Sequence, residues 1–208
     1  MSKTLIVAAL LTVFGFANAE NAATPITSPD KLARGLLLLN KDRLIFSPCR
    51  DRNYTNVDDV SPGGEVTAAL REFGLADGKP LYIEVFGAAA AGMLSINGLN
   101  MARSDARCYA PRRSTGEWRA GAGEAWSLAL VEGTATLQRT GHAELTGSYE
   151  VMLHTPTQSE IRIAGTTTTN IRLTRQNCRD NSNGDRLYAW RAEVTTANHK
   201  LEGCAWRQ

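Results

Sequence analysis

Between Arg34 and Trp206 the chain seldom sustains an apolar pattern for more than a few residues before Gly, Pro, Asn, Asp or Thr interrupts it, and in most segments apolar and polar residues alternate. Alternation with a period of two puts every second side chain on one face of a strand. One segment alone has helical spacing: Val66, Ala69, Leu70 and Phe73 fall at i, i+3, i+4 and i+7. A chain patterned this way must bury one face of many short strands while leaving few free edges. A mainly β fold is therefore expected.

In the first half, Leu36–Leu39 and Leu44–Phe46 flank Asn40-Lys41-Asp42 and predict a strand, a tight polar turn and a second strand. A second short pair is expected around Arg52-Asn53-Tyr54-Thr55-Asn56-Val57. Ser61 and Pro62 suit the cap and first position of the helix, and Gly74 ends it. Leu81–Gly87 is the clearest strand of this half, and Met93–Leu99 follows as a weaker one. Five short strands with one helix before the fourth is the order of a small Greek-key barrel of the oligonucleotide/oligosaccharide-binding (OB) type. This OB-like domain is expected to span residues 32–112.

Pro111–Gly116 is polar and turn-rich and predicts a domain boundary. Beyond it, Trp126–Val131, Thr134–Gln138, Tyr149–Leu153, Ile161–Ile163, Ile171–Leu173 and Tyr188–Val194 read as successive strands. An antiparallel barrel or half-barrel over residues 117–208 is the natural solution. Of the four tryptophans of this half, Trp126 and Trp190 are in phase with apolar neighbours and predict core, whereas Trp206 is placed to make an exposed contact.

The chain opens with Lys3, an apolar run from Leu5 to Phe16, and Ala17-Asn18-Ala19 before Glu20. That is the pattern of a secretory leader cleaved after Ala19, and about 12 apolar residues are too few for a spanning helix, which needs roughly 20. Glu20 stands where a lipid-bearing Cys would be needed, so no stable membrane anchor is expected. Residues 20–31 read as a flexible lead-in. Without Lys3 the 23 basic residues become 22 against 21 acidic ones, too even a balance to steer nucleic acid.

Cys49, Cys108, Cys178 and Cys204 all lie beyond the leader, and an even count in an oxidising compartment predicts two disulfides. Three pairings are possible. Chain order suggests Cys49 with Cys108 and Cys178 with Cys204, one bridge in each half, the second stapling the last hairpin. On the loop-entropy model rings of about 60 and 27 residues stabilise by roughly 4 and 3.5 kcal/mol.

Two resemblances follow from particular residues. Arg34–Leu38, Phe46-Ser47-Pro48-Cys49, Leu70-Arg71, Lys79–Gly87 and Cys108 resemble the C-terminal OB-type domain of the envelope lipoprotein NlpE family, which is associated with copper tolerance, surface sensing and envelope-stress signalling in Gram-negative bacteria. The resemblance implies a Cys49–Cys108 disulfide. It does not bring the family's lipid-bearing Cys or its C-x-x-C segment, which are absent here. The second half is similar to a family of secreted or lipoprotein β-domains through Glu124-Ala125-Trp126-Ser127, Cys178-Arg179-Asp180 with Tyr188, and Gly203-Cys204-Ala205. That likeness implies a fold and a compartment, and the Pro-Phe of the family's opening motif is missing.

No catalytic signature is present. His142, His154 and His199 are the only histidine bases, and none belongs to a G-x-S-x-G or H-E-x-x-H pattern. The carboxylates Asp51, Asp58 and Asp59 lack the order of a calcium loop. Asp180, Asn181, Asn183 and Asp185 around Gly184 have oxygens enough for calcium, with a plain Asn/Gly hairpin as the simpler reading. No metal or cofactor is expected. Arg52 and Tyr54, near the ligand face of an OB barrel, and Trp206 are the candidate ligand-binding residues. The chain thus reads as an exported, non-enzymatic protein of the periplasm or secreted medium, a binding or stress-sensing module whose partner is an envelope protein or a small ligand. The alternative is a secreted inhibitor of a lysozyme-like hydrolase.

Overall fold

The computed structural model describes residues 31–51, 53–108, 116–164, 168–180 and 185–208. The leader and residues 20–30 of the lead-in lie outside them, and Lys31 already belongs to a strand. The protein is mainly β, with thirteen strands and one helix among the described residues.

The first five strands are β1 (Lys31–Asn40), β2 (Arg43–Pro48), β3 (Thr55–Asp59), β4 (Leu81–Ala90) and β5 (Met93–Arg103), with helix α1 (Glu65–Phe73) between β3 and β4. They close on themselves in the order β1-β2-β3-β5-β4-β1, antiparallel except where β3 runs parallel to β5. This is the OB-like Greek-key ring that the strand order predicts. The turns have residues suited to them. Ala91 and Gly92 take φ of 49° and 77° between β4 and β5, the left-handed pair that matches the twist of a two-residue hairpin.

Ser61 was expected to cap the helix directly. A 3₁₀ turn at Pro62–Gly64 intervenes instead, and Asp59 shares the task. Ser61 Oγ accepts from the Val66 N–H at 3.2 Å and Asp59 Oδ2 from the Thr67 N–H at 2.7 Å. Two of the helix's orphan donors are thereby satisfied. Val66, Ala69 and Leu70 are buried into the apolar core, as their spacing predicts.

The remaining strands are β6 (Gly116–Ala122), β7 (Trp126–Val131), β8 (Thr134–Arg139), β9 (Leu145–His154), β10 (Gln158–Ile163), β11 (Thr169–Arg179), β12 (Arg186–Thr195) and β13 (Lys200–Arg207). Each pairs antiparallel with its neighbours in the order β6-β7-β8-β9-β10-β11-β12-β13-β6, a closed eight-stranded barrel without a free edge. Its interior is filled. Leu128, Leu130, Leu137, Ile163, Ile171, Leu173 and Val194 are fully buried there, and Trp118 meets Trp190 edge to face with ring centroids 5.0 Å apart. Each such aliphatic side chain contributes about 1.5–3 kcal/mol by leaving water. Gly203 lies where β13 crosses β6 most closely, and a Cβ there would stand 2.2 Å from the Gly121 carbonyl oxygen and 2.8 Å from the Trp126 ring.

Both disulfides form in the pairing that chain order suggests, Cys49–Cys108 and Cys178–Cys204, each with Cα atoms 5.5 Å apart. The second does not staple the last hairpin. Cys178 is on β11 and Cys204 on β13, the two strands that flank β12. The register of β11 shifts between Arg175 and Cys178, so the end of this strand comes over to β13.

Most of the segment expected as a domain boundary, Pro111–Gly116, lies outside the described residues. The two rings themselves are joined. β5 pairs antiparallel with β12 through Met101–Arg103 and Arg186–Tyr188, which links all thirteen strands into one hydrogen-bonded sheet. Arg175 pairs with Glu65, and Arg179 donates to the Glu72 carbonyl, so β11 grips the helix of the first ring. The apolar cores of both rings merge into one cluster.

Candidate functional site

The register at this junction assembles a site from residues far apart in sequence. Arg34 on β1 stands opposite Glu84 on β4, Glu84 opposite Met101 on β5, and Met101 opposite Tyr188 on β12. One step along, Tyr82 faces Arg103, and Arg103 faces Arg186. Side chains two residues apart share a face, so these two rows lie on one surface of the sheet. The outer side of β6 and β13 forms the opposite wall with Arg119 and Trp206, which are themselves paired in register. Together they enclose a groove of about 550 Å³ between the rings.

The floor of the groove is polar yet buried. Glu84 is 9 % and Tyr82 2 % exposed. The Tyr82 hydroxyl donates to Glu84 Oε1 at 2.8 Å, Arg34 Nε pairs with the same oxygen at 3.2 Å, and Asn100 Nδ2 donates to Glu84 Oε2 at 2.9 Å. Burial and the neighbouring Glu84 push the Tyr82 phenol well above its usual range, so it stays a donor. Asn100, wholly buried, also donates to the Arg207 carbonyl at 2.9 Å and accepts from the Arg207 N–H at 2.8 Å. Its amide thus serves as one rung of a ladder between β5 and β13, and the Tyr82 hydroxyl, both Glu84 oxygens and the Asn100 amide all have partners, as burial demands.

Cations line the rest. Arg119 Nε donates to Gln208 Oε1 at 3.0 Å, and Arg207 lies 4.7 Å over the Trp118 ring. Burial lowers the Arg207 guanidinium from its ordinary value, against the pull of Glu117. The Tyr188 hydroxyl accepts from Arg186 and helps hold that residue charged. Tyr188 stacks on Trp206 with centroids 4.8 Å apart, and both pack against Met101 and the Cys178–Cys204 bridge. The bridge therefore braces the aromatic wall of the groove.

Of the residues singled out from sequence, Trp206 lies in this groove, half-buried on Tyr188 rather than standing alone. Tyr54 precedes β3, is 75 % exposed and has no place in the groove lining. Arg52 lies outside the described residues. Trp126 and Trp190 are core, as expected. Arg34, Tyr82, Glu84, Asn100, Arg103, Arg119, Arg186 and Arg207 were not foreseen. The one signal available was Glu84 itself, a carboxylate in the middle of the most apolar strand of the first half.

The other polar candidates disperse. Asp51 accepts from the Asn53 N–H, while Asp59 caps the helix, so these carboxylates serve the backbone. Asn181 and Asn183 are outside the described residues; Asp180 accepts from the Gly123 N–H, and the Asp185 carbonyl from the Ser104 N–H. Among the described residues no group of three His, Cys, Asp or Glu side chains is arranged to hold a metal ion. His142 and His199 meet edge to face at 6.0 Å, a proximity their separate turn contexts did not suggest. His154 Nδ1 lies 2.7 Å from Ser159 Oγ across β9 and β10, beside a second cavity of about 580 Å³ that is also lined by Leu32 and Phe86 of the first ring and by Arg207. Among the described residues no carboxylate hydrogen-bonds to that imidazole, so the pair lacks the orienting group of a catalytic triad.

Comparison of the chain with protein-family models, with curated proteins and with solved structures returns no match to any of the three.

Proposed function

We propose that this is an exported, non-enzymatic binding or sensing module of the bacterial envelope, and that its ligand occupies the groove between the rings. The observation that carries the reading is the groove itself: one wall comes from each ring, and the floor is a hydrogen-bonded polar cluster fixed before any ligand arrives. Preorganised walls of this kind spare a ligand the cost of ordering its site. The leader-like opening, four cysteines all in disulfides, and the likeness of residues 34–108 to the NlpE OB domain support the compartment. A sensing role is supported by the position of the Cys178–Cys204 bridge behind Tyr188 and Trp206. Loss of that bridge removes the packing behind the aromatic wall.

Expression of the full chain in a Gram-negative host tests this. The expected product is periplasmic, begins at Glu20, contains no reactive thiol, and shows in native mass spectrometry an adduct that Trp206→Ala loses. A cytosolic product that keeps residues 1–19 and four reactive thiols overturns the reading.

A further inference from the structure

We infer that the groove between the rings takes a small ligand bearing at least two anionic groups, phosphate or carboxylate. The inference rests on the reading of the groove as the ligand site and names the chemistry of what enters it.

Five arginines line the groove, Arg34, Arg103, Arg119, Arg186 and Arg207, against one acidic side chain, Glu84. That carboxylate is already committed: Arg34, Tyr82 and Asn100 occupy its oxygens, and it is almost closed to water. Arg103 pairs with Asp105 at 2.9 Å. The other three pair with neutral groups, while Asp180 and Asp105 act on Arg186, and Glu117 on Arg207, from beyond salt-bridge distance. Arg119 has the Gln208 amide, Arg186 the Tyr188 hydroxyl and Arg207 the face of Trp118. Among the described residues none of these three has an Asp or Glu side chain at salt-bridge distance, whereas Arg34, Arg103, Arg172, Arg175 and Arg191 all do.

Guanidinium groups repel one another, and gathering several around a partly dehydrated groove is unfavourable unless an anion completes it. The planar fork of arginine presents parallel donors that fit carboxylate and phosphate oxygens, and fixed dipoles around it make such a bond stronger than in bulk water. Arg186 comes from β12, Arg119 from β6 and Arg207 from β13, so the cationic wall is contributed from separate strands held in register. Several donors converging from separate strands suit a ligand with more than one charged group better than a single small anion. Tyr188 and Trp206 add a flat apolar surface beside the cations for the uncharged part of the same molecule.

The test uses the oxidised full-length mature chain and the ¹⁵Nε–Hε signals of its arginines, with inorganic pyrophosphate, citrate and maltotriose titrated separately at about millimolar concentration. Pyrophosphate and citrate distinguish a phosphate ligand from a carboxylate one, and maltotriose is the neutral control. The expected result is a saturable shift of Arg119, Arg186 and Arg207 with at least one of the two anions, no such shift for Arg162 on the outside of the eight-stranded ring, and at least tenfold weaker binding in Arg119→Gln. Arg119→Lys, which keeps the charge and loses the fork, is expected to fall between. The backbone spectrum of each variant shows that it remains folded, and Arg186→Gln repeats the test should Arg119→Gln not fold. If maltotriose moves the Trp206 indole and groove signals while both anions leave them still, the anionic class is overturned and the groove reading survives. If no probe moves them, the inference is overturned together with its support for the site. Shifts shared equally with Arg162 mean an adventitious ion only, and they also overturn it.

Discussion

Inside the eight-stranded ring, Leu130, Leu137, Ile171 and Leu173 are buried among apolar side chains, whereas equally buried positions at the seam between the rings are Tyr82, Glu84 and Asn100. The ring interior is held by area removed from water, which is non-directional and forgiving of shape. At the seam, Tyr82, Glu84 and Asn100 are held by hydrogen bonds to one another and to the Arg207 backbone. Removing one member there strands its partners without water, so its cost is set by what remains and not by what was taken away. The two disulfides divide in the same way. Cys178–Cys204 packs against Tyr188, Trp206 and Met101, which line the groove, while neither Cys49 nor Cys108 does.

The largest effects are expected from the bridges. Replacing Cys49 and Cys108 by Ser should lower stability by about 4 kcal/mol, and replacing Cys178 and Cys204 by about 3.5 kcal/mol, given sequence separations of 59 and 26. Denaturant midpoints measure both. Only the second pair is expected also to broaden the Trp206 indole resonance and weaken groove binding. Equal effects on the groove would erase the distinction between the two bridges.

Next in size is Asn100→Leu, which keeps the volume and removes the amide from Glu84 and from the Arg207 backbone. A loss of roughly 2–3 kcal/mol is expected. Leu137→Met in the ring interior, also conservative in volume, should cost less than about 1.5 kcal/mol. Urea denaturation of the two variants side by side gives the comparison its sharpest form.

The smallest effect concerns Asp59, away from the seam. Burial works against its charge, but hydrogen bonds from Ser61 and Thr67 outweigh this and hold the carboxyl below its ordinary range. A carboxyl with a lowered folded pKa adds stability that is fully present above the unfolded value, about 4, and is lost as pH falls through the folded one. Asp59→Asn should therefore melt lower than the parent protein by an amount equivalent to about 1 kcal/mol near neutrality, with the gap closing as the pH is taken below 4. Thermal scans across that range read it.

Much of this architecture is legible in the sequence, because alternation and turn residues are local. The hairpin of β1 and β2, the helical spacing of Val66, Ala69, Leu70 and Phe73, and the long strand from Leu81 all follow from neighbours along the chain. β6 escapes that reading because Gly116, Gly121 and Ala122 offer little apolar signal, and its position is fixed by Trp118 packing on Trp190. The groove was legible only in part. Trp206 stood out as a lone aromatic near the end of the chain, but nothing local says that β5 and β12 pair, and it is that register which sets Arg103 beside Arg186 and Met101 beside Tyr188. Tyr54 rests on analogy to OB ligand faces alone, and the groove lies instead over β1, β4 and β5, where the second ring covers the first.

Pairing of β5 with β12 and the Asn100 bonds to the Arg207 backbone weld the rings at the seam and leave the groove preformed. Residue-resolved hydrogen exchange of the Arg207 amide, which Asn100 holds at 2.8 Å, tests this most directly. Exchange is expected to be as slow as for the amides of Leu130 and Leu173 in the ring interior, and to become fast in Asn100→Leu while those interior amides stay protected. An Arg207 amide that exchanges quickly in the unsubstituted protein, with the interior still protected, would contradict a welded seam.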